Sequence, residues 1–325
     1  MTLLAIFQLA VGFALLSAGG HYLVESATRI ALLARVSTAV IGLTVVAMGT
    51  SMPELAVSLG AALRNEPDLA YSNIVGSNIF NIAMILAATA LIKPIPVTRY
   101  TIKLEYPFMV LACWIMLLLS RDGIVDRLEG AFFLFALIAF TTYMVRLART
   151  EVPMDEAEQL EGAIRNTKEI GDSDTMRWGK YILMATIGIA GLAAGAELMV
   201  RGASTIAATF GVPQRIIGLT ILAMGTSLPE LATSVVAARR GDSAIALGNV
   251  VGSNIFNVLA ILGATSLVIP VPVNPEAIRV DNWVMLGIVV GLFPLMVFGK
   301  SVTRRDAGLL LAVFVTYMIF LFRSF

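Results

Sequence analysis

The 325-residue chain is 58% hydrophobic and 14% charged, with a mean hydropathy of +0.86, so it lacks the polar surface that a soluble domain of this size requires. Its 23 Lys and Arg balance 22 Asp and Glu, which leaves no basic face for nucleic acid, and a single cysteine, Cys113, excludes disulfides and cysteine-based metal sites within one chain. The composition points to an all-α polytopic membrane protein with room for about ten spans at roughly 20 apolar residues each.

The first apolar run, 3–34, has no Lys or Arg before it and leads straight into more helix, so it reads as a span and not as a cleaved leader. It is long enough to cross at a steep tilt. His21, the sole histidine, lacks an orienting carboxylate motif and reads as a packed or interface residue. Glu25 and Arg29 stand at i, i+4 and can neutralise each other near the membrane face.

The second run, 39–62, carries GTSMPELA at 49–56. Pro53 has no N–H to donate one turn back, near Gly49, so the helix loosens and a carbonyl is freed at membrane depth. Irregular backbone there is tolerated only where it lines a cavity or coordinates something. An ionised carboxylate in hydrocarbon is costly and marks a functional site, which makes Glu54 the first candidate. Thr50, at i−4, lies above Glu54 on one helical face, with Ser51 at i−3. The third run, 69–92, carries GSNIFN at 76–81, placing Ser77 and Asn81 at i, i+4. The fourth and fifth runs are 104–120, where Cys113 reads as a small buried hydrophobe, and 128–147.

A polar linker follows at 150–176, with eight acids against Arg165 and Lys168. It lacks the ligand spacing of an EF-hand loop and reads as a solvated tether. Runs at 179–209, 214–238, 244–269, 282–299 and 306–322 complete the chain, with Glu197 and Arg201 at i, i+4 in the first of them.

The later runs copy the earlier ones. GTSLPELA at 225–232 and GSNIFN at 252–257 repeat the first-half motifs, and a constant offset of 176 separates Thr50 from Thr226 and Asn81 from Asn257. The halves are 1–149 and 177–325. Five spans per half is an odd number, so the two five-helix repeats must insert with inverted topology. Charge supports this: with both termini outside and the linker cytoplasmic, sixteen Lys and Arg fall inside and seven outside. Such a chain belongs in the cell membrane, plasma or bacterial inner.

Face to face, the repeats bring Glu54 and Glu230 together with the hydroxyls of Thr50, Ser51, Ser77, Thr226, Ser227 and Ser253 and the amides of Asn81 and Asn257. An all-oxygen set suits Ca²⁺ or Na⁺ and not zinc or copper, which favour His or Cys. Two carboxylates neutralise one Ca²⁺, two Na⁺ or two H⁺, and competition for that charge can couple antiport. Helix packing through small residues accounts for Gly49, Gly76, Gly225 and Gly252, but not for two glutamates at equivalent depth.

At these motifs the sequence resembles the sodium/calcium exchanger family of the calcium/cation antiporter superfamily, most closely its compact prokaryotic members, and the likeness extends over nearly the whole chain. The resemblance implies Ca²⁺ and Na⁺ as transported substrates, no cofactor, and Glu54 and Glu230 bridging the ion sites. It further implies carbonyls of Ala47 and Ala223 among the ligands, and runs 3–34 and 179–209 as the elements that slide to alternate access. Asn257 stands where the prokaryotic pattern has an acid, which removes one negative charge and leaves the three-Na⁺ stoichiometry, proton coupling or another cation open; it argues against K⁺. The Ca²⁺-sensing domains of animal exchangers have no counterpart in the sequence. No obligate protein partner is evident beyond the lipid bilayer. No nucleophile–base pair or cofactor fingerprint suggests an enzyme, and a site inside one chain's repeat differs from a channel filter between subunits.

Overall fold

Apolar runs this long close their backbone hydrogen bonds within themselves, and the computed structural model is almost entirely helical over the residues it describes, 2–34, 36–64, 67–150, 174–210 and 223–323. The helices are α1 (Thr2–Ala34), α2 (Thr38–Thr50), α3 (Met52–Leu63), α4 (Leu69–Ile92), α5 (Thr101–Asp122) and α6 (Arg127–Thr150). They continue as α7 (Asp174–Thr209), α8 (Ala223–Thr226), α9 (Leu228–Arg240), α10 (Ser243–Val268), α11 (Ala277–Gly299) and α12 (Arg304–Arg323). The acidic linker at 151–173 and most of the run before α8 lie outside the described residues.

Among the described residues, seven helices are long and apolar enough to cross a membrane, or eight if the bent pair α2–α3 is one span. Of the remaining expected spans, 214–238 is described only from 223 onward, and 306–322 corresponds to α12, whose first turn holds Arg304, Arg305 and Asp306. The second expected span is not one straight helix. It bends by 44° between α2 and α3, at Ser51 and not at the Gly49 carbonyl one turn upstream. Ser51 leaves helical geometry (φ −86°, ψ 9°), and Ser227, between α8 and α9, does the same (φ −89°, ψ 9°). Pro53 and Pro229 then sit within the first two positions of α3 and α9, where a missing N–H costs nothing.

α4 and α10 are the most buried spans and form the centre of the bundle, whereas α1, α6 and α7 present long apolar faces outward, with Leu3, Phe7, Phe13, Leu128, Phe135 and Leu183 exposed. This is the pattern of helices solvated by lipid on one side. α1 packs along α7 through small residues: a Cβ added to Gly12 would lie 2.8 Å from the Gly195 carbonyl, and one on Gly19 would lie 2.8 Å from that of Gly188. Backbones that close leave no room for a methyl group. Gly12 and Gly188, like Gly19 and Gly195, are separated by the 176 offset, so the contact is reciprocal between the halves.

Four two-residue strands, β1 (Ile95–Pro96), β2 (Ile124–Val125), β3 (Val271–Pro272) and β4 (Ser301–Val302), pair antiparallel as β1 with β4 and β2 with β3. β1 and β3 are equivalent at the repeat offset, and β2 and β4 depart from it by one residue. Arg304 Nε donates to the Leu91 carbonyl at 3.0 Å and Arg127 Nη2 to that of Val268 at 3.3 Å, capping α4 and α10 from the opposite half. Cys113 is fully buried, as its apolar surroundings require.

Candidate cation-binding site

The bends at Ser51 and Ser227 place Glu54 and Glu230 in the first turns of α3 and α9, where the helix dipole favours negative charge. Both side chains are about as buried as any in the protein, at 1% exposure each. Their partners come from opposite halves. Ser51 Oγ donates to Glu230 Oε1 at 2.8 Å, and Ser227 Oγ donates to Glu54 Oε1 at 2.9 Å.

The following spans complete the shell. Ser253 Oγ lies 3.5 Å from Glu230 Oε1, and Ser227 Oγ lies 3.3 Å from Ser77 Oγ, so all four serines converge on the carboxylate pair. Thr50 Oγ1 lies 3.3 Å from the Ala47 carbonyl and donates across the repeat to Asn249 Oδ1 at 3.2 Å. The helices widen by one residue per turn over Asn81–Leu86 and Asn257–Leu262, so each asparagine opens a π turn, a distortion common at functional positions. Asn257 Nδ2 donates to Asn78 Oδ1 at 3.1 Å.

Glu54 Oε2, Glu230 Oε2, Asn81 Oδ1 and Asn257 Oδ1 are buried with no hydrogen-bond partner, as are Thr233 Oγ1 and Asn254 Oδ1 on the same second-half helices. Leaving a buried acceptor unpaired costs about 1–3 kcal/mol, more when charged, so four of them at equivalent places in two repeats call for a partner that is not a protein donor. A hard cation is such a partner. Among the described residues no group of three His, Cys, Asp or Glu is placed to hold a metal ion, and the oxygens nearest the two carboxylates are hydroxyls and amides.

Of the residues expected from sequence, Glu54, Glu230, Ser51, Ser227, Ser77 and Ser253 are joined by direct hydrogen bonds. Thr50 and Asn257 are held through Asn249 and Asn78, while Asn81 and Thr226 are buried on the same elements. Ala47 accepts the Ser51 N–H at 3.0 Å, and Ala223 opens α8 at the equivalent position before Ser227. Sequence reasoning missed Asn249, whose Nδ2 donates to Ser234 Oγ at 3.0 Å and lies 3.4 Å from the Glu230 carbonyl. It also missed the equivalent Asn73, donating to Ser58 Oγ at 3.0 Å. Both amides obey the 176 offset inside apolar runs, and that signal would have found them.

Glu25 corrects a local expectation. Its carboxylate pairs with Arg240 Nη2 of α9 at 3.1 Å and not with Arg29, and the same guanidinium nitrogen lies 2.8 Å from His21 Nε2. His21 is therefore an interface residue between α1 and α9. Arg201 and Glu197 do pair along α7, at 2.5 Å.

Apolar spans enclosing a cluster of buried oxygens on two broken helices fit a membrane transport protein for cations. The chain belongs to the sodium/calcium exchanger protein family, whose profile matches residues 4–146 and again 180–323. A relative from Alkalimonas amylolytica, provisionally named the antiporter CaxA, is 38% identical, covering 99% of this chain and 100% of its own. The sodium/calcium exchanger MaX1 of Methanosarcina acetivorans is 31% identical, covering 97% of both chains. The solved structure of the sodium-calcium exchanger NCX_Mj superimposes with a TM-score of 0.84 at 30% identity, covering 98% of this chain and 99% of its own.

Proposed function

We propose that this protein exchanges Ca²⁺ for Na⁺ across the cell membrane by alternating access, with both ions competing for the carboxylates of Glu54 and Glu230. The reciprocal serine–glutamate bonds carry this reading: each carboxylate has one oxygen oriented by the opposite half and one oxygen with no protein donor. Thr50, Ser51, Ser77, Asn81, Thr226, Ser227, Ser253 and Asn257, with carbonyls of Ala47 and Ala223, complete the ligands. Because the same charge serves either cargo, Na⁺ loading expels Ca²⁺ and the reverse, which is the coupling an antiporter needs.

The proposed architecture is ten spans in two five-helix halves, 1–149 and 177–325, inserted in opposite orientations about a cytoplasmic linker, with both termini outside. The strand pairs support it, since β1 and β4 lie in loops that the charge count puts inside, and β2 and β3 in loops it puts outside. The small-residue contact between α1 and α7 supports the two long helices moving as one body past the centre, opening the site to each side in turn.

Purified protein in liposomes loaded with Na⁺ is expected to take up ⁴⁵Ca²⁺, and Glu54→Gln or Glu230→Gln to abolish that uptake. Equal uptake into Na⁺-free vesicles without a pH gradient would falsify antiport. Replacing the Na⁺ gradient by a pH gradient identifies the coupling ion.

A further inference from the structure

We infer that Asn249 is a positioning residue for the cation site: it takes the one proton of the Thr50 hydroxyl and so keeps that proton off the Glu230 carboxylate, where a cation must bind. This rests on the antiport reading above and deepens it by naming a residue that acts on the site through another side chain.

Asn249 lies fully buried on α10 and joins three elements. Its Nδ2 donates to Ser234 Oγ at 3.0 Å and lies 3.4 Å from the Glu230 carbonyl, both on α9. A backbone carbonyl can only accept, so it fixes which end of the amide faces α9. The amide oxygen is left to face the end of α2, where it accepts from Thr50 Oγ1 at 3.2 Å.

A threonine hydroxyl has a single hydrogen, and three acceptors compete for it here. The Ala47 carbonyl stands 3.3 Å away but already accepts the Ser51 N–H at 3.0 Å. The Glu230 carboxylate is also within reach of Thr50, whose neighbour Ser51 bonds to its Oε1 at 2.8 Å. A carboxylate is the strongest acceptor of the three, yet Glu230 Oε2 has no protein donor. The Asn249 oxygen, anchored from behind through the amide nitrogen, holds the proton instead. With its hydrogen committed there, Thr50 has only lone pairs to offer a cation.

The amide–serine pair recurs at the 176 offset. Asn73 on α4 donates to Ser58 Oγ on α3 at 3.0 Å, both are buried, and Thr226 stands beside Glu54 as Thr50 does beside Glu230. A buried amide costs free energy unless it is bonded, so two of them at equivalent depth in apolar runs point to a task beyond filling space.

Removing the Asn249 acceptor frees the Thr50 proton to close on Glu230 Oε2, and a cation must then displace a charge-assisted bond before it binds. The Ser51 bond differs, because it goes to Oε1 and leaves Oε2 open.

The test is a double-substitution cycle with Thr50 in Na⁺-loaded proteoliposomes, read as ⁴⁵Ca²⁺ uptake over a range of Ca²⁺ concentrations. Asn249→Leu is expected to raise the half-saturating Ca²⁺ concentration about tenfold and to leave the maximal rate within about twofold. Thr50→Val, which removes a hydroxyl oxygen, is expected to raise it as well. In the Thr50→Val background Asn249→Leu should add nothing, because no proton is left to redirect. Factors that multiply in the pair, or a loss of maximal rate at unchanged half-saturation, mean that Asn249 only braces the helices and overturn the inference. If Asn249→Leu does not fold, Asn249→Ser withdraws the acceptor from Thr50 while keeping a hydroxyl for Ser234, and the same cycle decides. If the native protein takes up no Ca²⁺ in exchange for Na⁺ or H⁺, the antiport reading fails and the inference with it. A native protein that exchanges, with variants whose factors multiply, sinks the inference alone.

Discussion

Ser51 and Ser227 each serve a carboxylate that belongs to the other half of the chain. A hydrogen bond to a charged group contributes about 1.5–3 kcal/mol, so removing either donor leaves a buried carboxylate less well oriented for its ion. Ser51→Ala and Ser227→Ala are therefore expected to raise the Ca²⁺ concentration for half-maximal uptake by about tenfold or more, and by similar factors. The concentration dependence of ⁴⁵Ca²⁺ uptake measures this, and a large effect from only one of the two would contradict reciprocal bonding. The glutamates were legible in the sequence because a charge inside an apolar run has no bland explanation. The crossing of their serine partners was not, because it depends on how two distant segments pack. Glu25 shows the same limit: helical spacing offered Arg29, while the fold delivers Arg240 from the end of α9.

At the scale of elements, the contact between α1 and α7 depends on the absence of side chains. A methyl group on Gly19 would sit 2.8 Å from both the Gly188 carbonyl and the Leu192 nitrogen, and backbone atoms cannot rotate away. Gly19→Ala is expected to destabilise the protein by about 1–3 kcal/mol through overpacking, read as a lower thermal midpoint in detergent. Gly287→Ala, where an added Cβ meets nothing within 4 Å, serves as the control and should leave the midpoint unchanged. The proline in each GTS motif announced a break in the helix. The position of the bend did not follow from it, since proline accepts the start of a new helix readily and the preceding serine takes the non-helical dihedrals. The π turns at Asn81 and Asn257 left no mark in composition, because one extra residue per turn changes no residue type.

For the molecule as a whole, the proposed opposite insertion of the halves would place Arg121, before β2, outside and Arg305, after β4, in the cytoplasm. Cys113 is buried and leaves a quiet background. Cysteines introduced as Arg121→Cys and Arg305→Cys should therefore divide cleanly: a membrane-impermeant maleimide added to intact cells labels the first and spares the second until the membrane is opened. Labelling of both from outside would overturn the proposed topology. The repeat was the most legible feature of the sequence, since an unbroken offset runs through both motifs. The strand clips between halves were invisible, being two residues long and paired across most of the chain.

The crossed serine–glutamate bonds also bear on ancestry. If one half once existed as a separate gene product, a single copy would have held a glutamate and a serine facing nothing. On the proposed inverted topology, only two copies inserted in opposite orientations would have completed both carboxylates. Symmetry would then have doubled every substitution. Two copies in one chain are free of that constraint: His21 and Glu25 on α1 face Arg240, while their counterparts on α7 are Glu197 and Arg201.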